Sequence, residues 1–100
     1  MKYDEFIIPS LRLNMLRILA EAPAYTANES LLHNITCKVY GFDGSRDRIR
    51  TQLVWLEEQG LASVARECPT CMVATLTERG LDAAQGRTFV PGVDRPKPGM

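Results

Sequence analysis

The sequence predicts a mainly α domain with a small β-hairpin, in the order helix, helix, helix, hairpin, helix. Three observations carry this prediction. Apolar residues recur at helical spacing in three successive segments up to Gly60. The period then changes to two short runs rich in Val, Ala and Thr, separated by a tight loop. Thr77 finally stands at the head of one more short helical segment.

The first helix is read from Leu11, Met15, Ile18, Leu19 and Ala22, which share one stripe. Pro9 suits its first turn, where a missing N–H costs nothing, and Pro23 closes it. Arg12, Arg17 and Glu21 fall on the face toward water or a partner. The second helix is expected to begin near Thr26, because Thr26 and Glu29 have capping-box spacing. Leu31, Ile35 and Val39 line its apolar face, with Leu32 beside them, and Gly41 ends it.

The third helix takes Ser45 as N-cap and Asp47 in its first turn. Ile49, Leu53 and Leu56 form its buried stripe. Gly60 stops it, and Leu61 folds back on the last turn. Strands follow at Leu61 to Glu67 and Met72 to Leu76. Thr77 caps a helix from Glu78 to about Gln85, ended by Gly86.

One hundred residues supply one core and no second domain. The expected organisation is an apolar N-terminal arm over 1–9, a folded domain over 10–86 and a Pro/Gly-rich flexible tail over 87–100. Lys plus Arg number 12, as do Asp plus Glu, so a non-specific polycation and a disordered acidic tail are both excluded. No apolar window approaches a membrane span, and Met1 to Pro9 lacks the pattern of a signal peptide. The cytoplasm is the expected compartment. One histidine, no glycine-rich phosphate loop and no Ser-His-Asp set argue against an enzyme. Glu57 and Glu58 sit on different helix faces, a solvated pattern.

The second and third helices are joined by a short glycine-bearing turn, as a helix-turn-helix requires. The third helix opens with Ser45-Arg46-Asp47-Arg48-Ile49-Arg50-Thr51-Gln52. Ile49 faces inward, and the arginines are expected to project together. Arginine grips guanine or phosphate with paired donors, and glutamine reads adenine. Ser45, Thr51 and the helix N-terminus suit phosphates.

The stretch Leu53-Val54-Trp55-Leu56-Glu57-Glu58-Gln59-Gly60-Leu61 resembles the L-x-x-L-x-x-x-G-L junction of winged helix-turn-helix regulators of the ArsR-, MarR- and PadR-like group. Leu76-Thr77-Glu78-Arg79-Gly80 resembles their L-T-x-x-G junction after the wing. The resemblance covers residues 10–86 and implies sequence-dependent binding of double-stranded DNA, usually as a homodimer, with the wing near the minor groove or phosphates. The expected DNA-binding residues are Ser45, Arg46, Arg48, Arg50, Thr51, Gln52 and, in the wing, Arg66, which stands beside Glu67.

Cys68-Pro69-Thr70-Cys71 is a C-x-x-C at the hairpin tip. An inert pair, a half-site for zinc and a reversible disulfide are all open readings. Zinc would need two further ligands, and the candidates are His33 and Cys37, four apart on one helix face. Three cysteines do not make a disulfide scaffold. Tyr3, Phe6, Ile7 and Ile8 form either a lid on the core or a dimer arm, and together with Trp55 they favour a homodimer. A protein-protein adaptor using Phe6, Trp55 and the Pro-rich tail is the alternative function, and a thiol- or metal-responsive regulator is a second alternative.

Overall fold

A computed structural model of the chain describes residues 3–69 and 71–97. Helix α1 spans Tyr3–Glu21, followed by a 3-10 turn at Pro23–Tyr25 and strand β1 at Thr26–Asn28. Helices α2 (Glu29–Lys38) and α3 (Arg46–Glu58) come next. Strands β2 (Ala62–Cys68) and β3 (Cys71–Leu76) form the hairpin, and α4 (Glu78–Ala84) closes the series. The arrangement is a winged helix-turn-helix, with α2 and α3 as the helix pair and β2–β3 as the wing.

The expected helices and hairpin are present, and one short strand was missed. The three strands pair antiparallel in the order β1-β3-β2, with Thr26 opposite Thr75 and Ala62 opposite Leu76. Thr26 therefore sits in the sheet, where its hydroxyl meets that of Thr75 at 3.0 Å. It is not a helix cap. Asn28 caps α2 instead, its side-chain oxygen accepting from the Leu31 N–H at 2.8 Å. The capping box fails because Glu29 is needed elsewhere. The backbone before it is drawn out by pairing with β3.

Helix α1 also begins earlier than predicted. The segment expected to be an arm is helical from Tyr3, and Pro9 lies inside the helix. A proline there deprives the Glu5 carbonyl of its donor, which is tolerable because Glu5 is exposed to water. Met1 and Lys2 lie outside the described residues. Further along, Leu11, Met15, Leu16 and Leu19 are fully buried, and Leu13 and Ile18 nearly so. Burial on so many sides makes α1 the central helix of the fold.

Helix α2 is rotated from the expected register. Glu29, Leu32 and Thr36 face the core, whereas Leu31 is 45% exposed and Val39 69% exposed. Thr36 is accommodated because its hydroxyl donates to the Leu32 carbonyl at 2.8 Å. Helix α3 matches its prediction closely. Ser45 accepts from the Arg48 N–H at 3.2 Å, and Ile49, Leu53 and Leu56 are buried.

The expected flexible tail is, over 87–97, an ordered strap. Val90 and Val93 belong to the core, and the Asp94 N–H donates to the Pro9 carbonyl at 3.2 Å. Each valine contributes roughly 1.5–3 kcal/mol by leaving water, enough to hold a short polar segment down. Residues 98–100, the end of the predicted tail, lie outside the described residues.

Candidate nucleic-acid interface

The start of α3 is where the fold concentrates charge, and its arginines are already engaged. Glu29, 1% exposed, lies at the head of α2 facing α3. Its Oε1 accepts from Arg46 Nη2 at 2.9 Å. Its Oε2 lies 3.1 Å from Arg50 Nε, an ion pair whose N–H is not aligned as a hydrogen bond. A carboxylate removed from water costs several kcal/mol, by order of magnitude about what two close cations return. Its effect is therefore geometric: it fixes where both arginines leave the helix.

Arg50 has a second tether. Its Nη2 donates to the Pro69 carbonyl at the wing tip, 2.7 Å away. Strand β2 lies along α3, so Arg50 meets the tip while Glu57, nearer the helix end, meets Arg66 at 2.9 Å. A shallow groove runs between helix and wing, lined by Asp47, Arg50, Thr51, Val54 and Met72.

The other predicted residues divide. Arg48 points the opposite way, to an ion pair with Asp4 of α1. Thr51 is exposed and its hydroxyl donates back to the Asp47 carbonyl at 3.0 Å. Ser45 is exposed at the cap. Gln52 does not face outward. It is 6% exposed and its Oε1 accepts from Arg12 Nε at 2.8 Å. The reason is helical phase, since residue 52 lies three from Ile49 and four from Leu56, on the buried side.

The expected common ridge of three arginines is thus corrected. Arg46 and Arg50 converge on Glu29, while Arg48 pairs with Asp4. Asp47 adds an exposed negative charge among them. In the wing, the hydrogen bond from Arg66 holds the Glu57 carboxyl below its ordinary pKa, with partial burial opposing it. The same partnership raises Arg66. The surface is a set of answered charges, not a bare positive strip.

Trp55 is expected at a dimer or partner contact. It lies instead beneath Arg12, whose guanidinium carbon is 3.7 Å above the ring. Arg12 also donates to the Gly92 carbonyl at 3.0 Å, and burial lowers its pKa. Gly92, at φ +95, comes so near that a Cβ would be 2.8 Å from the indole. Arg12, Gln52, Trp55 and Gly92 form a clasp that pins the strap onto α3.

At the hairpin tip, Cys68 and Cys71 are directly paired in the ladder and joined as a disulfide. His33 and Cys37 do share a face. Both meet the Gly44 carbonyl, the imidazole Nε2 at 2.9 Å and the thiol at 3.9 Å. Among the described residues, no group of three or more His, Cys, Asp and Glu side chains could hold a metal ion. No helix of the described chain is long and apolar enough to cross a membrane.

Sequence reading missed Glu29, Asp4 and the carbonyl of Pro69 as partners of the arginines. Glu29 carried a usable signal. It is three residues before Leu32 and seven before Thr36, and a carboxylate on a buried face demands a cation.

A protein of Haemophilus influenzae described as uncharacterized is 48% identical over 81 residues, covering 81% of this chain and 78% of that protein. The uncharacterized protein gp26 of Escherichia phage Mu is 41% identical over 95 residues, covering 95% of this chain and 96% of gp26. This chain belongs to the gp26 family. No family model matches the sequence. The fold of this gp26 relative is shared with solved complexes of hsRosR-S4 and hsRosR-S1. Each has a TM-score of 0.66 at 21% identity, over 81% of this chain and 68% and 70% of those chains.

Proposed function

We propose that the chain binds double-stranded DNA in a sequence-dependent manner and acts as a transcriptional regulator. The carrying observation is the placement of Arg46 and Thr51. Arg46, with a side chain 48% exposed, and exposed Thr51 stand at the open start of a Ser45-capped helix in a winged helix-turn-helix. In that unit the second helix of the pair enters the major groove by its N-terminal part. Arg46 is the phosphate-gripping or base-gripping residue, Thr51 and Ser45 are phosphate or base contacts, and Arg50 is a contact released from the wing. The likeness to the hsRosR complexes gives the fold and is consistent with this use.

The active species is a homodimer, supported by the exposure of Tyr3, Phe6 and Phe89. Two α3 helices then lie about 34 Å apart, one DNA turn. Salt titration of binding to a mixed-sequence duplex tests the reading. Arg46→Ala should reduce the slope of log K against log salt by about 1. No binding by the intact chain at low salt overturns it.

A second reading, a protein adaptor, is favoured by one specific observation. Ile18, Pro23, Leu31, Ile35, Val39 and Tyr40 line an apolar groove on the far side of α2. Of the contacts that sequence analysis offered this reading, only Phe6 stays open, because Trp55 is covered and the strap is docked.

A further inference from the structure

We propose that the Cys68–Cys71 pair is a redox-modification site whose oxidised form restrains Arg50. The proposal deepens the DNA reading and rests on it for its effect on binding. Three observations converge at the wing tip. The two cysteines are joined across the hairpin turn. Pro69, inside the ring that this bond closes, supplies the carbonyl that Arg50 Nη2 reaches at 2.7 Å. Arg50 Nε is at the same time held 3.1 Å from buried Glu29. The arginine is strung between a fixed carboxylate and a carbonyl whose position the disulfide sets.

Opening the ring loosens that carbonyl. The register shifts between Arg66, opposite Met72, and Cys68, which pairs with Cys71 beyond the bulge. Without its covalent tie the tip loses the bond that locks the Cys68–Cys71 pair, which the bulge sets apart from the regular ladder. Arg50 then keeps its Glu29 contact through Nε and turns its other donors toward the groove beside Thr51. The oxidised wing withholds one DNA-gripping guanidinium, and the reduced wing releases it.

The chemistry is thiol–disulfide exchange. A thiolate of a dithiol reductant attacks one sulfur of the pair, breaking the Cys68–Cys71 bond and forming a mixed disulfide. The reductant's second thiol displaces the first cysteine. Two electrons and two protons pass to the protein, which ends with two thiols, and the reductant ends as a disulfide. A low-molecular-weight disulfide such as oxidised glutathione reverses the exchange.

The test uses the full chain with arginine side chains labelled with nitrogen-15, in oxidised glutathione or in dithiothreitol. Alkylation and mass measurement report the thiol state. The Arg50 Nε signal, assigned by its loss in Arg50→Ala, is expected to shift on reduction. Binding to a fluorescent mixed-sequence duplex of about 30 base pairs is expected to tighten roughly ten-fold. That difference should vanish in Arg50→Ala. The double variant Cys68→Ser with Cys71→Ser, with folding confirmed by circular dichroism, should match the reduced form in both buffers. An unmoved Arg50 signal despite a verified change of thiol state overturns the proposal, as does a redox effect on binding that survives in Arg50→Ala. A shifted Arg50 signal with no duplex binding in either state upholds the redox site and removes the DNA reading.

Discussion

Gly80 presses its bare α-carbon against the backbone of Leu61, so closely that a Cβ would stand 2.0 Å from the Leu61 carbonyl oxygen. The same carbonyl accepts from the Thr77 N–H at 3.2 Å, and the Thr77 hydroxyl donates to the Gly60 carbonyl at 2.7 Å. The two junctions seen in the sequence, Gly60-Leu61 and Thr77 to Gly80, are thus one contact in space. Gly80→Ala should lower stability by about 3 kcal/mol or more, because backbone must move to admit the methyl group. Thermal melting checks this, and an unchanged midpoint would mean the junction is looser than described.

Glu29→Gln separates stability from binding. The glutamine keeps the shape but leaves two guanidiniums without their carboxylate. Both arginines are partly solvated, so the cost should be about 1–3 kcal/mol, below that of breaking a fully buried pair. Non-specific affinity for duplex DNA should rise and its salt slope steepen, since the buried anion that both arginines face is removed. Lower stability with unaltered affinity would place Arg46 and Arg50 away from the DNA.

Gln52 and Arg12 should behave as structural partners. Gln52→Ala is expected to cost about 1–2 kcal/mol through the lost hydrogen bond to a charged group, and to leave base preference unchanged. A changed preference in a binding-site selection experiment would return Gln52 to the role first expected of it.

Truncation after Arg87 tests the strap. Removing Val90 and Val93 uncovers core and frees Arg12 and Trp55, for a loss of about 3–5 kcal/mol. Urea denaturation measures it, and a midpoint equal to that of the intact chain would show that 88–100 is a dispensable tail.

Acid should weaken the attachment of wing to helix. Glu57 is held below its ordinary pKa, chiefly by Arg66. Its contribution is therefore present above the unfolded carboxylate pKa and disappears as pH falls through the lower folded value. The pair is largely exposed, so the effect is small and screened by salt. Glu57→Gln should lose less stability than the parent between pH 5 and pH 2 at low ionic strength. Equal losses in denaturation midpoint would assign the acid sensitivity to other carboxylates.

Much of the architecture was legible because it depends on local signals. Ser45 and Thr77 cap their helices as their positions imply, and the apolar stripe of α3 is where its spacing puts it. What escaped depended on partners distant in sequence. Thr26 looks like a cap until β3 arrives to pair with it. Leu31 and Val39 look like core until Glu29 and Thr36 take the inner face. Val90 and Val93 are too sparse among prolines and glycines to signal burial, yet α1 offers them a place. At the candidate site, composition gave the arginines but not their anions, because Asp4 and Glu29 come from other helices.

Among the described residues β2 is a border strand whose outer row faces no further strand, although the Val64 carbonyl accepts from Arg66 at 3.4 Å. Such a border invites a strand from another molecule, the first step toward fibrous aggregates. Here the invitation is guarded. Arg66 and Glu67 put opposite charges on the rim, the ladder is interrupted beside them, and Pro69 terminates it without an N–H to offer. The opposite border, β1, is three residues long, too short to act as a template. Replacing the charged pair on the wing by β-branched residues should therefore raise the tendency of the chain to seed cross-β deposits, read as faster onset of thioflavin fluorescence.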